Sequence, residues 1–116
     1  MELKQVYFLT PFPEMVKTVV SESILGRAEK KELVQFHTKN LFDFADPPHH
    51  QIDDYPFGGG AGMILKPEPV FRAFDAVMGE LPESSDTRVV FPTPDGKVFD
   101  HDAAINLSKC QNLIFI

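Results

Sequence analysis

Cysteine is almost absent from this 116-residue chain: Cys110 is the only one. A lone thiol makes no internal disulfide and suits a reducing cytoplasm. Tryptophan is missing altogether. No apolar run approaches the roughly 18 residues needed to span a bilayer. The opening stretch, MELKQVYFLTPFPEM, has no basic segment leading into a long apolar one, so it carries no readable secretory signal. Basic excess is lacking too. The formal charge is −6, from 11 Lys and Arg against 17 Asp and Glu. That argues against a strongly basic nucleic-acid module, though not against a local basic patch.

What is present points to one folded domain. Hydrophobic residues make up 43% of the chain and charged residues 24%, which excludes bulk disorder. Eleven phenylalanines supply the core, and ten prolines with seven glycines punctuate it. Leu3–Leu9 contains the run Val6-Tyr7-Phe8-Leu9, which suits a strand buried on both faces. Pro11 and Pro13 break its ladder, and Pro13-Glu14 reads as a first helical turn. Met15, Val16, Val19, Val20 and Ile24 follow at helical spacing, with Gly26 expected to interrupt them and Arg27–Lys31 to form a short exposed turn or helix. Leu33–Thr38 predicts a second strand, with Val34 and Phe36 on one face. Val70, Phe71, Phe74, Val77 and Met78 predict a helix from Pro67 to Gly79, its Phe residues in the core. Arg88–Phe91 predicts a third strand, Pro94-Asp95-Gly96 a turn, and Asp100 the cap of a short helix carrying Ala103, Ala104 and Leu107. Leu113–Ile116 predicts a fourth strand. This alternation predicts an α/β fold: a parallel sheet with helices on both faces. Because the sequence stops within its most hydrophobic strand, we expect it to be part of a longer polypeptide.

Lys39–Gly62 has neither helical nor strand period. Such loops in compact domains are usually functional. This one holds His49-His50, Asp53-Asp54 and Phe57-Gly58-Gly59-Gly60-Ala61-Gly62. The glycines complete neither G-x-G-x-x-G nor a P-loop. They serve close ligand approach or a tight turn. The histidines and aspartates match no standard zinc spacing. They read as hydrogen-bonding or capping groups, or as substrate contacts. Phe91-Pro92-Thr93-Pro94-Asp95-Gly96 is either a rigid turn or the stiff wall of a ligand pocket at a strand's carboxyl end. Cys110 reads as a packing residue rather than a nucleophile.

Several segments together resemble one family. They are Pro11-Phe12-Pro13-Glu14-Met15, Gly26-Arg27-Ala28, His49 with Ile52-Asp53-Asp54-Tyr55-Pro56-Phe57-Gly58-Gly59-Gly60-Ala61-Gly62-Met63, Phe91–Gly96, and Gln111–Ile116. The family is the bacterial tRNA (guanine-N1)-methyltransferases, which methylate the guanine just 3′ of the anticodon. Tyr55 and Ala61 stand where many relatives have Arg and Pro. The resemblance implies a SPOUT-class trefoil-knot fold binding S-adenosylmethionine, a homodimer with active sites between subunits, tRNA as partner, and a magnesium requirement for which this sequence offers no ligand constellation. It implies that Phe91, Pro92, Thr93 and Pro94 bind the cofactor. It implies that His49, Asp53, Asp54, Gly58, Gly59, Gly60 and Gly62 lie toward tRNA and the target guanine. Family members continue with a Cys-Gly-x-Tyr-Glu-Gly stretch, a second knot loop and a helical domain bearing the catalytic Asp and an Arg. Residues 1–116 are therefore expected to be the N-terminal part of the cofactor-binding domain, with the knot incomplete and no catalytic residue in this chain, and to be inactive alone. The alternative is a non-catalytic α/β module that binds RNA or a protein partner.

Overall fold

The structure is a computed structural model that describes residues 3–48, 50–54, 64–83 and 85–116. Strand β1 (Lys4–Thr10) buries Val6, Tyr7 and Leu9, so both of its faces meet core, as its unbroken apolar run requires. It leads through Pro11-Phe12 into helix α1 (Pro13–Val20), where Pro13 supplies a preset φ at a position whose N–H has no helical partner. The chain then turns at Ser21-Glu22, Ser23 takes a positive φ of 52°, and α2 (Ser23–Lys30) begins. Gly26 therefore does not end a helix. It lies buried inside α2, where a Cβ would sit 2.3 Å from the Ser21 carbonyl oxygen. The glycine is the condition for this tight corner rather than a stop signal.

Strand β2 (Val34–Asn40) pairs parallel with β1 over seven registers, from Lys4–Val34 to Thr10–Asn40. A 3-10 turn (Leu41–Phe44) follows, with the Asn40 side chain accepting from the Phe42 N–H. The long segment is not wholly irregular: β3 (Asp53–Asp54) and β4 (Ile64–Leu65) form an antiparallel pair, Asp53 opposite Leu65 and Asp54 opposite Ile64. Helix α3 runs over Pro67–Glu80, passing through Gly79 and ending before Pro82. It buries Pro69, Ala73 and Val77, while Phe71 is 64% exposed. Phe71 thus departs from the expected core placement of this helix's phenylalanines: consecutive residues on a helix point about 100° apart, and the Ala73-Val77 stripe takes the core side. Strand β5 (Thr87–Val90), helix α4 (His101–Ser108) and strand β6 (Asn112–Phe115) complete the described chain. Asp100 caps α4 as expected, its Oδ1 accepting from the Ala103 N–H at 2.8 Å.

The main sheet is all parallel, in the order β2-β1-β6-β5. One face carries Tyr7, Leu9 and Ile114 against Ala73 and Val77 of α3, with Leu41, Ala45 and Ile52 joining from the long loop. The other carries Val6, Val34 and Leu113 with Cys110, Ala28 and Leu107. There Phe8 stacks on Phe115 at 5.4 Å and meets Phe36 at 6.3 Å. Cys110 is 4% exposed and packs in this layer, as read from the sequence. Among the described residues, no helix is long and apolar enough to cross a membrane.

Candidate functional site

Parallel strands send all their carboxyl ends to one edge, and the loops leaving them gather there. The loops after β1, β2 and β5 do so here, and two cavities open among them.

The first cavity, about 580 Å³, lies beyond β5 and β6. Phe91, Pro92, Thr93 and Pro94 form one wall, with Val98, Phe99 and Phe115 completing it. Pro92 and Pro94 fix their own φ values, which stiffens the wall. The turn closes with Gly96 N–H donating to the Thr93 carbonyl at 3.3 Å. The Ile116 N–H donates to the Val90 carbonyl at 3.1 Å, tying this loop's root to the neighbouring strand. Phe91, Val98 and Phe99 remain 58%, 85% and 65% exposed, so the wall is apolar and open.

The second cavity, about 670 Å³, lies between Pro11-Phe12 and the segment leading into β3 and β4. His50 Nδ1–H donates to the Phe42 carbonyl at 3.1 Å, and Gln51 donates through Nε2 to the Asp53 carbonyl at 2.8 Å. The Lys66 N–H donates to the Ile52 carbonyl at 2.6 Å, and Ile52 is itself buried against Leu41 and Ala45. Arg72 of α3 donates through Nη1 to the Phe44 carbonyl at 2.9 Å and to Asp46 at 3.0 Å. The segment is therefore pinned to α3 by apolar feet and polar ties. It holds Asp53 at the cavity wall, half-buried, with Asp54 beside it exposed. His49, Gly58, Gly59, Gly60 and Gly62 lie outside the described residues. Among the described residues, no three His, Cys, Asp or Glu side chains gather as metal ligands would.

A third cavity, about 690 Å³ and more polar, opens at the amino ends of the strands, beside Gln5, Tyr7, Glu80 and Asn112. Nothing in the sequence signals it, because its residues come together only through the sheet. Tyr7 donates its hydroxyl to Glu80 Oε2 at 2.9 Å, and Lys39 donates to Glu80 Oε1 at 2.5 Å. His37 stacks on Tyr7 at 4.4 Å and meets Gln5 Oε1 at 2.6 Å. Burial, aided by the Glu80 carboxylate, pushes the Tyr7 hydroxyl up to about 12. The Lys39 hydrogen bond holds Glu80 below the usual carboxylate range, and burial lowers His37. This network fastens the end of α3 to Tyr7 of β1 and Lys39 of β2.

A family model, tRNA (Guanine-1)-methyltransferase TrmD, matches residues 4–116. A tRNA (guanine-N(1)-)-methyltransferase of Staphylococcus carnosus (strain TM300) is 49% identical over 109 residues, covering 94% of this chain and 43% of that protein. One from Staphylococcus aureus (strain N315) is 46% identical with the same coverage. The crystal structure of tRNA (m1G37) methyltransferase from Aquifex aeolicus superposes with a TM-score of 0.83 at 31% identity, over 97% of this chain and 50% of that one. The chain thus spans less than half the length of these curated relatives.

Proposed function

Since the chain belongs to the tRNA (guanine-1)-methyltransferase family, we propose that it is the N-terminal part of a cytoplasmic enzyme that moves a methyl group from S-adenosylmethionine to N1 of the guanine 3′ of the anticodon in tRNA. The observation that carries this reading is the pair of cavities at one edge of the sheet. One has a stiff apolar wall at Phe91–Pro94, and the other has a carboxylate, Asp53, on a tied-down loop.

S-adenosylmethionine, when bound, supplies an electrophilic methyl on a sulfonium. The apolar wall fits such a group: Phe91, Pro92 and Pro94 offer dry surface to an adenine, and the Thr93 hydroxyl offers a donor and an acceptor. Their rigidity limits the ordering cost of binding. Asp53 and Asp54 supply carboxylates suited to the N–H edge of a guanine, which presents donors at N1 and N2. We further propose that Gly58, Gly59, Gly60 and Gly62, which have no side chains, allow close backbone approach to the nucleotide, and that His49 contacts the tRNA. The proton released from N1 goes to a base, and the charge developing on the guanine oxygen needs a donor. We assign both roles to the part of the enzyme beyond Ile116, in a trefoil-knotted homodimer. The exposed apolar residues Met15 and Val19 of α1 suit a subunit contact. Magnesium is a further cofactor of this reading, and we assign no side chain of this chain to it.

The test is transfer of labelled methyl by the full-length protein to two tRNA transcripts that differ only in carrying G or A 3′ of the anticodon. We expect 1-methylguanosine after digestion of the first and no label in the second. Label on another nucleoside, or none on either transcript, overturns the proposal.

A further inference from the structure

The third cavity has no part in the proposed reaction, and it shares no lining residue with the other two. At about 690 Å³ it has the volume of a small-molecule site. Three of its lining residues, Leu3, Asp86 and Gln111, stand directly before β1, β5 and β6. Parallel pairing of those strands brings them together, and Glu80 and Leu81 add the end of α3.

The polar hydrogens around it are spent within the protein. Tyr7 gives its hydroxyl hydrogen to Glu80. Ser85 gives its own to the Pro82 carbonyl at 2.6 Å. Ser85 Oγ must then accept from Asn112, which fixes the orientation of that amide. Asn112 donates through Nδ2 to Ser85 Oγ at 2.8 Å and to Thr87 Oγ1 at 3.1 Å, so both of its amide hydrogens are used. Its backbone N–H donates to the Asp86 carbonyl at 2.9 Å, which sets the two residues side by side. Asn112 is only 1% exposed, and its Oδ1 accepts from no group among the described residues. Yet no fully buried side-chain N or O among the described residues lacks a partner. Oδ1 is therefore the atom through which Asn112 meets the cavity, and it offers an acceptor there.

Charge points the same way. Glu80 and Asp86 line the cavity, and among the described residues no Lys or Arg does. Lys39 reaches Glu80 from β2 at 2.5 Å. Asp86 is the less compensated carboxylate: Arg88 stands 3.9 Å from its Oδ1, beyond hydrogen-bond reach, and both side chains are well exposed. An anion finds no cationic partner on this lining. A metal ion finds no cluster of three His, Cys, Asp or Glu among the described residues. Leu3, Leu81 and Pro82 give the cavity an apolar side. A positive end that brings its own hydrogens, carried on an apolar stem, satisfies both halves of this lining.

We propose that the cavity binds a free aliphatic amine in its ammonium form, of the linear diamine or polyamine class. The ammonium lies between Asp86 and Asn112 Oδ1, and the methylene stem lies on Leu3, Leu81 and Pro82. The occupant joins the approaches to three strands with the end of α3, so it stabilises the folded state by mass action.

The test is calorimetric titration of the full-length protein with putrescine at constant ionic strength, with uncharged butanediol as control and thermal unfolding in parallel. We expect saturable binding at one site per subunit, a Tm that climbs with putrescine concentration, and no response to butanediol. S-adenosylmethionine affinity should be unaltered. The Asp86 side chain is 60% exposed, so its variants should fold. Asp86→Asn should weaken putrescine binding by about two- to fivefold, the range for a partly solvated charge pair. Asp86→Lys, which places an ammonium of its own at the cavity, should abolish it. No saturable binding by the wild-type protein overturns the proposal. So does an equal response to butanediol, or wild-type affinity for putrescine in Asp86→Lys.

Discussion

Replacing Gly26 with alanine should destabilise the protein, although alanine is the better helix former. Gly26 is inside α2, so on helix propensity alone the change gains about 1 kcal/mol. The added methyl, however, would lie 2.3 Å from the Ser21 carbonyl oxygen and 2.8 Å from its carbon. Both atoms are backbone, so no rotamer change relieves the clash. Either α2 moves away from the end of α1 or the Ser21-Glu22 corner distorts. Overpacking of this kind costs about 1–3 kcal/mol, and a backbone obstacle puts the cost toward the upper end. The expected net loss is about 1–2 kcal/mol, which lowers Tm by several degrees. Gly79→Ala is the internal control. Gly79 lies in α3, and an added Cβ meets nothing within 4 Å, so only the propensity gain remains. Thermal and urea unfolding of both variants beside wild type reads the difference. A Gly26→Ala protein as stable as wild type, or more stable, would refute the claim that this glycine exists for the α1–α2 corner.

Two further outcomes follow from the same structure. Glu80 is held below its ordinary value of 4.5 by Lys39, and His37 below 6.5 by burial. Both depressed groups add stability above their unfolded values, and that stability is lost as pH falls through the folded ones. Tyr7, raised from 10.0 to about 12, adds stability below pH 10 that is lost as pH climbs toward 12. Glu80→Gln should therefore flatten the acid limb of a denaturation-versus-pH curve, and an unchanged limb would count against the network. Asp100→Ala removes the cap of α4 and should cost about 0.5–2 kcal/mol. Because α4 follows the Phe91–Phe99 loop directly, calorimetry should also show weaker S-adenosylmethionine binding, and unaltered binding would separate the helix from the pocket.

The parts of the fold that the sequence revealed are those where one local signal decides. The apolar run of β1 and the Leu113–Phe115 run of β6 mark central parallel strands, and Asp100 marks its helix by capping it. The signals that misled are those where a residue serves a neighbour distant in sequence or space. Gly26 resembles a stop but answers to Ser21. Gly79 resembles a stop but meets nothing, and α3 runs on to Glu80. Strands β3 and β4 are two residues each, too short to display an alternating pattern. The Tyr7–Glu80 bond joins residues 73 apart, which no local periodicity anticipates. For the site, the residues themselves left Phe91–Gly96 open between a turn and a pocket wall, and the turn exists with a cavity beside it. Phe12 and Phe42 went unnoticed as exposed rings because phenylalanine is ordinarily a core residue. Their exposure depends on how the Leu41–Phe44 turn is tied to Asn40 and His50.

We propose that Phe91–Pro94 walls the cofactor pocket of a methyltransferase. The most direct measurement is calorimetric titration of S-adenosylmethionine into the full-length protein and into its Thr93→Ala and Pro92→Gly variants. We predict saturable one-to-one binding per subunit by wild type. We predict weaker binding by Pro92→Gly, where the stiff wall is loosened, and by Thr93→Ala, where a polar contact is lost. Wild-type affinity in both variants, or no binding by the wild-type protein, would contradict the claim.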